Sequence, residues 1–418
     1  MHVLAWNLDT LDLSNNVDDR YTIEWRTEIK IRWPSQKHGW DRIPSPPEFS
    51  AGYSIVTLLI YRSAASAALA SFSGIPRVSD SKALQWIKVR AQMLKSNCQK
   101  AARLSEVGKA LRTTTLVLST RDSALIEPLL KRWCIILAED VMLHPVFSYL
   151  VFFQLLLSKG WTLNAEAEQI ILKGLECALQ PDVPADWRCD YNIPTSSSNS
   201  SSTFIEFALQ AIVFRTSFGG MHGDMELLAS LYTQWQLRLK SNLIPLQWQK
   251  WENQRWWSKD SAVQTKPLLF SSQDCLLTAV DHHCSSILPI LIERCRLETS
   301  CSGLLSNLIW DYRSSLRIRP CSCGVHPNNE IISPKPVAVA PPEWWIKKVV
   351  PVIDDVCLQE WRQPSKDAAA TRGKHSRSEI LAAQIKQLDE NRQVPESKKP
   401  RTNSMLSYFP RESKEQKT

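Results

Sequence analysis

Glycine is scarce in this chain, with 12 residues among 418, and this scarcity favours a helical protein. Long apolar runs are also missing, because the most apolar one, residues 146–157, is well short of the ~20 residues that a membrane-spanning helix needs. The first residues lack the basic and apolar segments of a secretory signal, so we expect reduced thiols for the 11 scattered cysteines. No Walker motif, Ser-His-Asp order or pair of carboxylates stands out. These absences argue against membrane and exported proteins and give no support to an enzyme.

The composition is that of a chain that can bury a large core. Hydrophobic residues make up 44% of the chain, and tryptophan is abundant, with 17 residues. Helical proteins usually place such rings in cores and interfaces. Much of the net charge of +8 lies near the C-terminus, which leaves the rest of the chain close to neutral. We therefore predict a mainly α fold: a helical body with a short N-terminal β element and a disordered, basic C-terminal tail.

The N-terminal part carries a clear β pattern. From residue 21 to residue 33, apolar side chains or threonine alternate with charged ones, which is the two-residue period of a half-buried strand. Residues 2–8 are the candidate partner strand, and prolines from Pro34 to Pro47 then break the chain. We therefore assign residues 1–48 to a β-hairpin or extended segment.

Helical periodicity follows and divides the body into two parts. A helical domain is predicted for residues 49–194, a serine-rich linker or surface loop for 195–203, and a second helical part for 204–361. The run 113–119 is β-leaning but isolated, and residues 362–418 form the tail. The individual helices are predicted over residues 52–72, 81–104, 122–139, 145–158, 165–179, 204–216, 224–240, 273–295, 303–316 and 345–361.

The tail ends in a short motif with one aliphatic and two aromatic side chains. Met405, Tyr408 and Phe409 stand at i, i+3 and i+4, so a single helical turn places them on one side. This spacing resembles the PIP box, the peptide that binds the eukaryotic sliding clamp PCNA. The box has glutamine where this chain has Thr402, and the resemblance therefore implies weaker binding through loss of a polar contact. The alternative is that the pattern arose by chance.

Basic residues stand immediately before this motif. Lys398, Lys399 and Arg401 surround Pro400 and fit the short basic pattern of a nuclear-import signal. The same charges would help a clamp-binding peptide through charge complementarity. We therefore expect the protein to be nuclear.

A glycine-rich run lies between two predicted helices of the body. Gly219, Gly220 and Gly223 precede or flank Asp224, which is suited to cap the second helix. The run could form a backbone cradle for an anion at a helix N-terminus. It could equally be a tight helix–helix turn. It lacks the lysine of a phosphate-binding P-loop.

Cysteine and histidine suggest a zinc site without standard spacing. Cys321, Cys323 and His326 could supply three ligands, and Cys284, Cys295, Cys301 or His283 could complete a tetrahedron. The alternative is free thiols in a loop. We expect no cofactor other than this zinc ion.

Two clusters mix tryptophan with basic residues. Such clusters can stack on single-stranded nucleic acid, or they can be packing surfaces whose lysines point to water. They comprise Trp251, Trp256 and Trp257 with Lys250, Arg255 and Lys259, and Trp344 and Trp345 with Lys347 and Lys348.

These patterns together predict a nuclear accessory factor in DNA replication or repair. The tail would tether it to PCNA, and the helical body would contact DNA or an unidentified protein. One alternative is an enzyme acting on DNA, of nuclease or phosphoesterase type, with a site near residues 218–224 and 281–284. Another is a helical scaffold whose tail directs nuclear import only.

Overall fold

The structure is a computed structural model whose described residues all lie in one compact unit, residues 1–364; a second unit comprises residues 365–418. The mainly α prediction is confirmed, with a small four-stranded sheet near the N-terminus. The described residues are 2–9, 12–14, 21–34, 39–45, 49, 52–63, 74–141, 143–179, 195–196, 202–220, 222–240, 244–245, 251, 270–280, 284–297, 302–314 and 343–362.

The sheet is built from four strands in the order β2-β1-β4-β3. They are β1 (His2–Asn7), β2 (Leu13–Ser14), β3 (Tyr21–Arg32) and β4 (Tyr53–Ser63). The long strand β3 pairs antiparallel with β4, and β1 pairs parallel with β4 and antiparallel with β2. A bulge at Glu24 shifts the β3–β4 register. A two-residue ladder joins β5 (Thr195–Ser196) to β6 (Ile244–Pro245).

The prediction of strands at residues 2–8 and 21–33 is confirmed, but their pairing as a hairpin is wrong. The helix predicted over residues 52–72 is also wrong, because this segment contains β4. Since β4 lies between β1 and β3 and is buried from Val56 to Tyr61, this stretch is apolar except for Thr57 and lacks the two-residue alternation. Periodicity cannot distinguish such a run from a buried helix. The β element therefore extends beyond residue 48.

Eleven α-helices lie within the described residues. Those predicted over residues 122–139, 145–158 and 165–179 are confirmed, as are the four predicted at 204–216, 224–240, 303–316 and 345–361. The helices are α1 (Ser81–Val89), α2 (Ala91–Arg103), α3 (Val107–Leu118), α4 (Ser123–Glu139), α5 (Val146–Ser158), α6 (Ala165–Ala178), α7 (Ser202–Thr216), α8 (His222–Lys240), α9 (Cys284–Cys295), α10 (Ser302–Ser314) and α11 (Val350–Arg362).

Three further segments differ from the predictions. The segment 81–104 contains two helices, which meet at Arg90. The segment 273–295 contains two short 3₁₀ turns before α9. The β-leaning run 113–119 lies in α3, where the Thr113 and Thr114 hydroxyls donate to the carbonyls four residues earlier. These bonds satisfy the buried hydroxyls and accommodate β-branched residues in the helix.

The core joins the inner face of the sheet to the helices. Every residue of α5 from Val146 to Leu157 is buried, which is expected for a helix that is apolar on all sides. Trp6 of β1 packs edge-on against Phe153 of α5 at 5.1 Å between ring centroids. Within the described residues, no helix has both the length and the apolar character needed to cross a membrane.

Candidate functional site

The glycine-rich run forms the turn between α7 and α8. The N–H groups of Ser217, Phe218 and Gly219 donate to carbonyls in the last turn of α7 and so end that helix. Gly219 has φ +63°, the left-handed conformation that glycine adopts without strain at a helix C-terminus. The backbone N–H groups on this side of the turn are therefore used within the protein.

The carbonyls of the same turn face cations. The Lys131 ammonium donates to the Phe218 carbonyl, and Arg215 Nη1 donates to the Gly219 carbonyl at 2.9 Å. Arg215 is fully buried, and burial lowers the pKa of both basic side chains. The Asp224 carboxylate raises both pKa values, and its negative charge therefore partly compensates the positive charges of Lys131 and Arg215.

Asp224 lies in the first turn of α8 and packs against the backbone at Gly220. A Cβ atom at Gly220 would stand 3.0 Å from Asp224 Oδ2. A carboxylate near a helix N-terminus is stabilised by the helix dipole. These contacts favour the tight helix–helix turn, and anion binding by Gly219, Gly220, Gly223 and Asp224 stays a prediction.

Next to this turn, α4 ends in a partly buried carboxylate pair, Glu139 and Asp140, that sequence analysis did not single out. Arg103 Nε contacts Asp140 Oδ1 at 2.7 Å, and its Nη2 contacts Glu139 Oε2 at 3.3 Å. Gln99 Nε2 donates to both carboxylates at 3.2 Å. Burial raises the pKa of both acids, while Arg103 lowers it. Each acid therefore has a partner on α2, and the cluster connects the end of α4 to that helix.

A second polar cluster attaches the segment 270–280 to α2 and α3. Asn97 Nδ2 donates to Thr113 Oγ1 and to the Asp274 carbonyl, both at 2.8 Å, and its Oδ1 accepts from the Leu276 N–H at 2.8 Å. Arg112 Nε donates to Asp274 Oδ1 at 2.7 Å. Since Asn97 and Asp274 are buried, these hydrogen bonds fix the position of the segment.

Arg90 connects the α1–α2 junction to the end of α11. Its Nε and Nη2 donate to the carbonyls of Trp361 and Arg362 at 2.8 and 2.9 Å. The Trp86 ring stacks on Trp361 at 6.1 Å and lies under the Arg90 guanidinium at 4.5 Å. Arginine thus satisfies the last carbonyls of α11, which have no partner within their helix.

An open groove of 520 Å³ runs along α1, beside this junction. Because one helix supplies its whole lining, the groove is a surface feature and does not enclose a small molecule. Its lining consists of Ser81, Lys82, Gln85, Trp86, Val89 and Arg90.

The described tryptophans of the two basic clusters are used for packing. Trp251 is buried and packs edge-on against His144 at 5.0 Å. Trp345 is buried and packs edge-on against Trp344, and Lys347 forms an ion pair with Glu343. These contacts favour the packing interpretation at these positions. Lys348 is exposed, and the other members, Lys250, Arg255, Trp256, Trp257 and Lys259, lie outside the described residues.

The zinc prediction is untested. Cys321, Cys323, His326 and His283 lie outside the described residues, and Cys284 begins α9. Elsewhere in the described parts of the chain, no three metal-binding side chains come together. Burial raises the pKa of the Cys98 and Cys134 thiols to about 12, so both stay protonated at neutral pH.

The tail motifs also lie outside the described residues. They are the clamp-binding residues Thr402, Met405, Tyr408 and Phe409 and the import residues Lys398, Lys399 and Arg401. No protein-family model matches the chain, and neither curated proteins nor solved structures show significant similarity to it.

Proposed function

We propose that this protein is a non-enzymatic nuclear accessory factor in DNA replication or repair, tethered to PCNA by its C-terminal peptide. The observation that carries this proposal is the spacing of Met405, Tyr408 and Phe409 directly after a basic cluster. One helical turn would present these three side chains together to an apolar pocket of the clamp. Lys398 and Lys399 would add electrostatic attraction and direct nuclear import.

The contacts of the body are consistent with a scaffold role. Buried polar side chains such as Asn97 and Arg90 connect secondary-structure elements, and the Trp251 and Trp345 rings pack internally. A tether raises the local concentration of such a body near DNA without any new contact by the body. In this proposal the body then meets DNA or a protein that works at the same place.

Binding of the full chain to immobilised PCNA tests this proposal. We expect the wild-type chain to bind and the Met405→Ala/Tyr408→Ala/Phe409→Ala variant to lose binding. The matched control, Ser404→Ala/Ser407→Ala, changes the intervening positions and is expected to bind like the wild type. Equal binding by the triple variant and the wild type would refute the clamp tether.

Import is tested separately from clamp binding. The Lys398→Ala/Lys399→Ala variant is expected to shift a fluorescent fusion from the nucleus to the cytoplasm. The triple variant at Met405, Tyr408 and Phe409 is expected to remain nuclear. If import needs the lysines but the full chain does not bind PCNA, the tail directs import only and the protein is a scaffold unrelated to the clamp.

A further inference from the structure

Strand β3 is a long, exposed edge strand. Eleven of its 12 residues pair with β4 on one side, and in the described part of the sheet no strand lies on its other side. Ile31 alone among its residues is buried. The other edge of a β-strand presents N–H and C=O groups that can pair with another strand.

The ladder with β4 shows which backbone groups face the free edge. The Trp33 N–H donates to the Gly52 carbonyl at 3.1 Å, next to the pair Arg32–Tyr53. Because hydrogen-bonded and non-hydrogen-bonded pairs alternate, residues 27, 29 and 31 bond to β4. The N–H and C=O groups of Arg26, Glu28, Lys30 and Arg32 therefore point to the free edge.

The side chains at positions 24, 26, 28 and 30 alternate in charge. Arg26 and Glu28 lie on the sheet face opposite the core, are exposed, and form no ion pair with another described residue. Their neighbours are engaged locally, since Lys30 lies 3.5 Å above the Tyr53 ring and Glu24 contacts Arg62 Nε at 2.8 Å. Two opposite charges thus stand side by side near the middle of the strand.

This sequence is complementary to itself when read in the antiparallel direction. We propose that β3 pairs antiparallel with β3 of a second copy of this chain, about a two-fold axis at Thr27. In this register, Arg26 lies directly opposite Glu28 of the partner subunit, and the symmetry repeats the pair. Both residues have backbone groups directed to the edge, so each pair also exchanges two backbone hydrogen bonds.

The charges select this register over its neighbours. Sliding one strand by two residues is the smallest step that keeps the hydrogen-bond alternation. It places either Arg26 opposite Arg26 of the partner subunit or Glu28 opposite Glu28 of the partner subunit. Opposite charges stabilise a cross-strand pair and like charges destabilise it. Edge charges that would repel a second strand in the two neighbouring registers therefore attract it in this one.

The core-facing side of the strand adds apolar contact in the same register. Trp25 and Ile29 are partly buried and pack against the core of their own chain. The register places Trp25 opposite Ile29 of the partner subunit, in a non-hydrogen-bonded pair where side chains come closest. Aromatic and β-branched pairs of this kind stabilise neighbouring strands.

Charge reversal at the edge tests the proposal. Sedimentation velocity of the full chain at low ionic strength is measured over a wide concentration range for four proteins: wild type, Arg26→Glu, Glu28→Arg and the double variant. The wild type is expected to be a dimer. Each single reversal places two like-charged pairs at the interface, and we expect the dissociation constant to rise about tenfold or more. The double variant restores opposite charges and is expected to dimerise like the wild type.

Each outcome decides the matter. Since both side chains are exposed, far-UV circular dichroism, and thermal unfolding at a concentration below dimerisation, are expected to show four equally folded proteins. A monomeric wild type at every concentration would overturn the proposal. A dimer that neither single reversal weakens, or single effects that the double variant does not reverse, would also overturn it.

Discussion

Helix α5 and strand β3 differ sharply in how many of their residues are buried. Every α5 residue from Val146 to Leu157 is buried, whereas β3 buries Ile31 alone. In α5, side-chain volume and the absence of unpaired charge decide which residues fit. In β3, the alternation of side chains between the two faces of the sheet and the sign of each charge matter more. Core substitutions should therefore change stability, and edge substitutions should change association.

The largest expected effect comes from Trp133 in α4. This side chain is fully buried, and its Nε1 donates to Thr114 Oγ1 at 3.0 Å. Trp133→Ala should lower the free energy of unfolding by ~3–5 kcal/mol, because it leaves a cavity and removes the hydrogen bond that Thr114 Oγ1 accepts. Trp25→Ala on the edge strand β3 is the control, and we expect it to lower the free energy of unfolding clearly less. Equal losses in urea unfolding would contradict the contrast between core and edge.

A smaller effect is expected where a helix glycine allows close packing. A Cβ atom at Gly174 would stand 2.2 Å from Val146 Cγ2. Gly174→Ala should therefore cost ~1–3 kcal/mol of stability, and adding Val146→Ala should recover part of it. At Gly303 in α10 a Cβ atom would meet nothing within 4 Å, so Gly303→Ala is expected to be neutral or stabilising. If Gly303→Ala is destabilised while Gly174→Ala is unaffected, the space around the added methyl group explains neither result.

The buried His144 should make the core sensitive to acid. Burial lowers its pKa to about 3 from an ordinary value of 6.5, so the folded protein keeps it neutral while the unfolded chain takes up a proton. Its contribution is fully present above pH 6.5 and declines as the pH falls towards 3, by up to ~1.4 kcal/mol per pH unit.

His144→Asn tests this pH dependence because it removes the titrating ring. An asparagine oxygen can still accept the Val146 N–H, which His144 Nδ1 accepts at 3.2 Å. The variant should lose less stability than the wild type between pH 6.5 and pH 4. The acids Glu139, Asp140 and Glu168 have raised pKa values, so their contribution to stability declines as the pH rises. These acids are the same in both proteins. Parallel curves of unfolding free energy against pH for the two proteins would therefore exclude His144 as the cause of the acid sensitivity.

The smallest effect on stability is expected at the free edge. Arg26→Glu changes an exposed side chain without a described ion pair and should alter the free energy of unfolding of the monomer by no more than ~0.5 kcal/mol. Urea unfolding at a concentration below dimerisation measures this value. A loss comparable to that of Gly174→Ala would mean that the β3 surface contributes to the fold itself.

Local patterns predicted much of the fold, and non-local contacts explain the rest. The alternation of apolar and charged residues in β3 is visible in the sequence because only one face of the strand packs on the core. The apolar run of α5 is visible because the helix is buried on all sides. The pairing of β1 with β4 depends on residues some fifty positions apart, which periodicity does not encode. The contact between Asn97 and Asp274 spans 177 positions and was not predictable. The clamp-binding motif is local, and its spacing is therefore readable from the sequence alone.

Calorimetric titration of a peptide covering residues 394–415 into PCNA tests the central claim most directly. We predict micromolar or tighter binding that is abolished by alanine at Met405, Tyr408 and Phe409. Thr402→Gln should strengthen it by restoring the glutamine of the PIP box. No measurable heat for the wild-type peptide, or equal affinity of the triple-alanine peptide, would contradict the claim that the tail tethers this protein to the clamp.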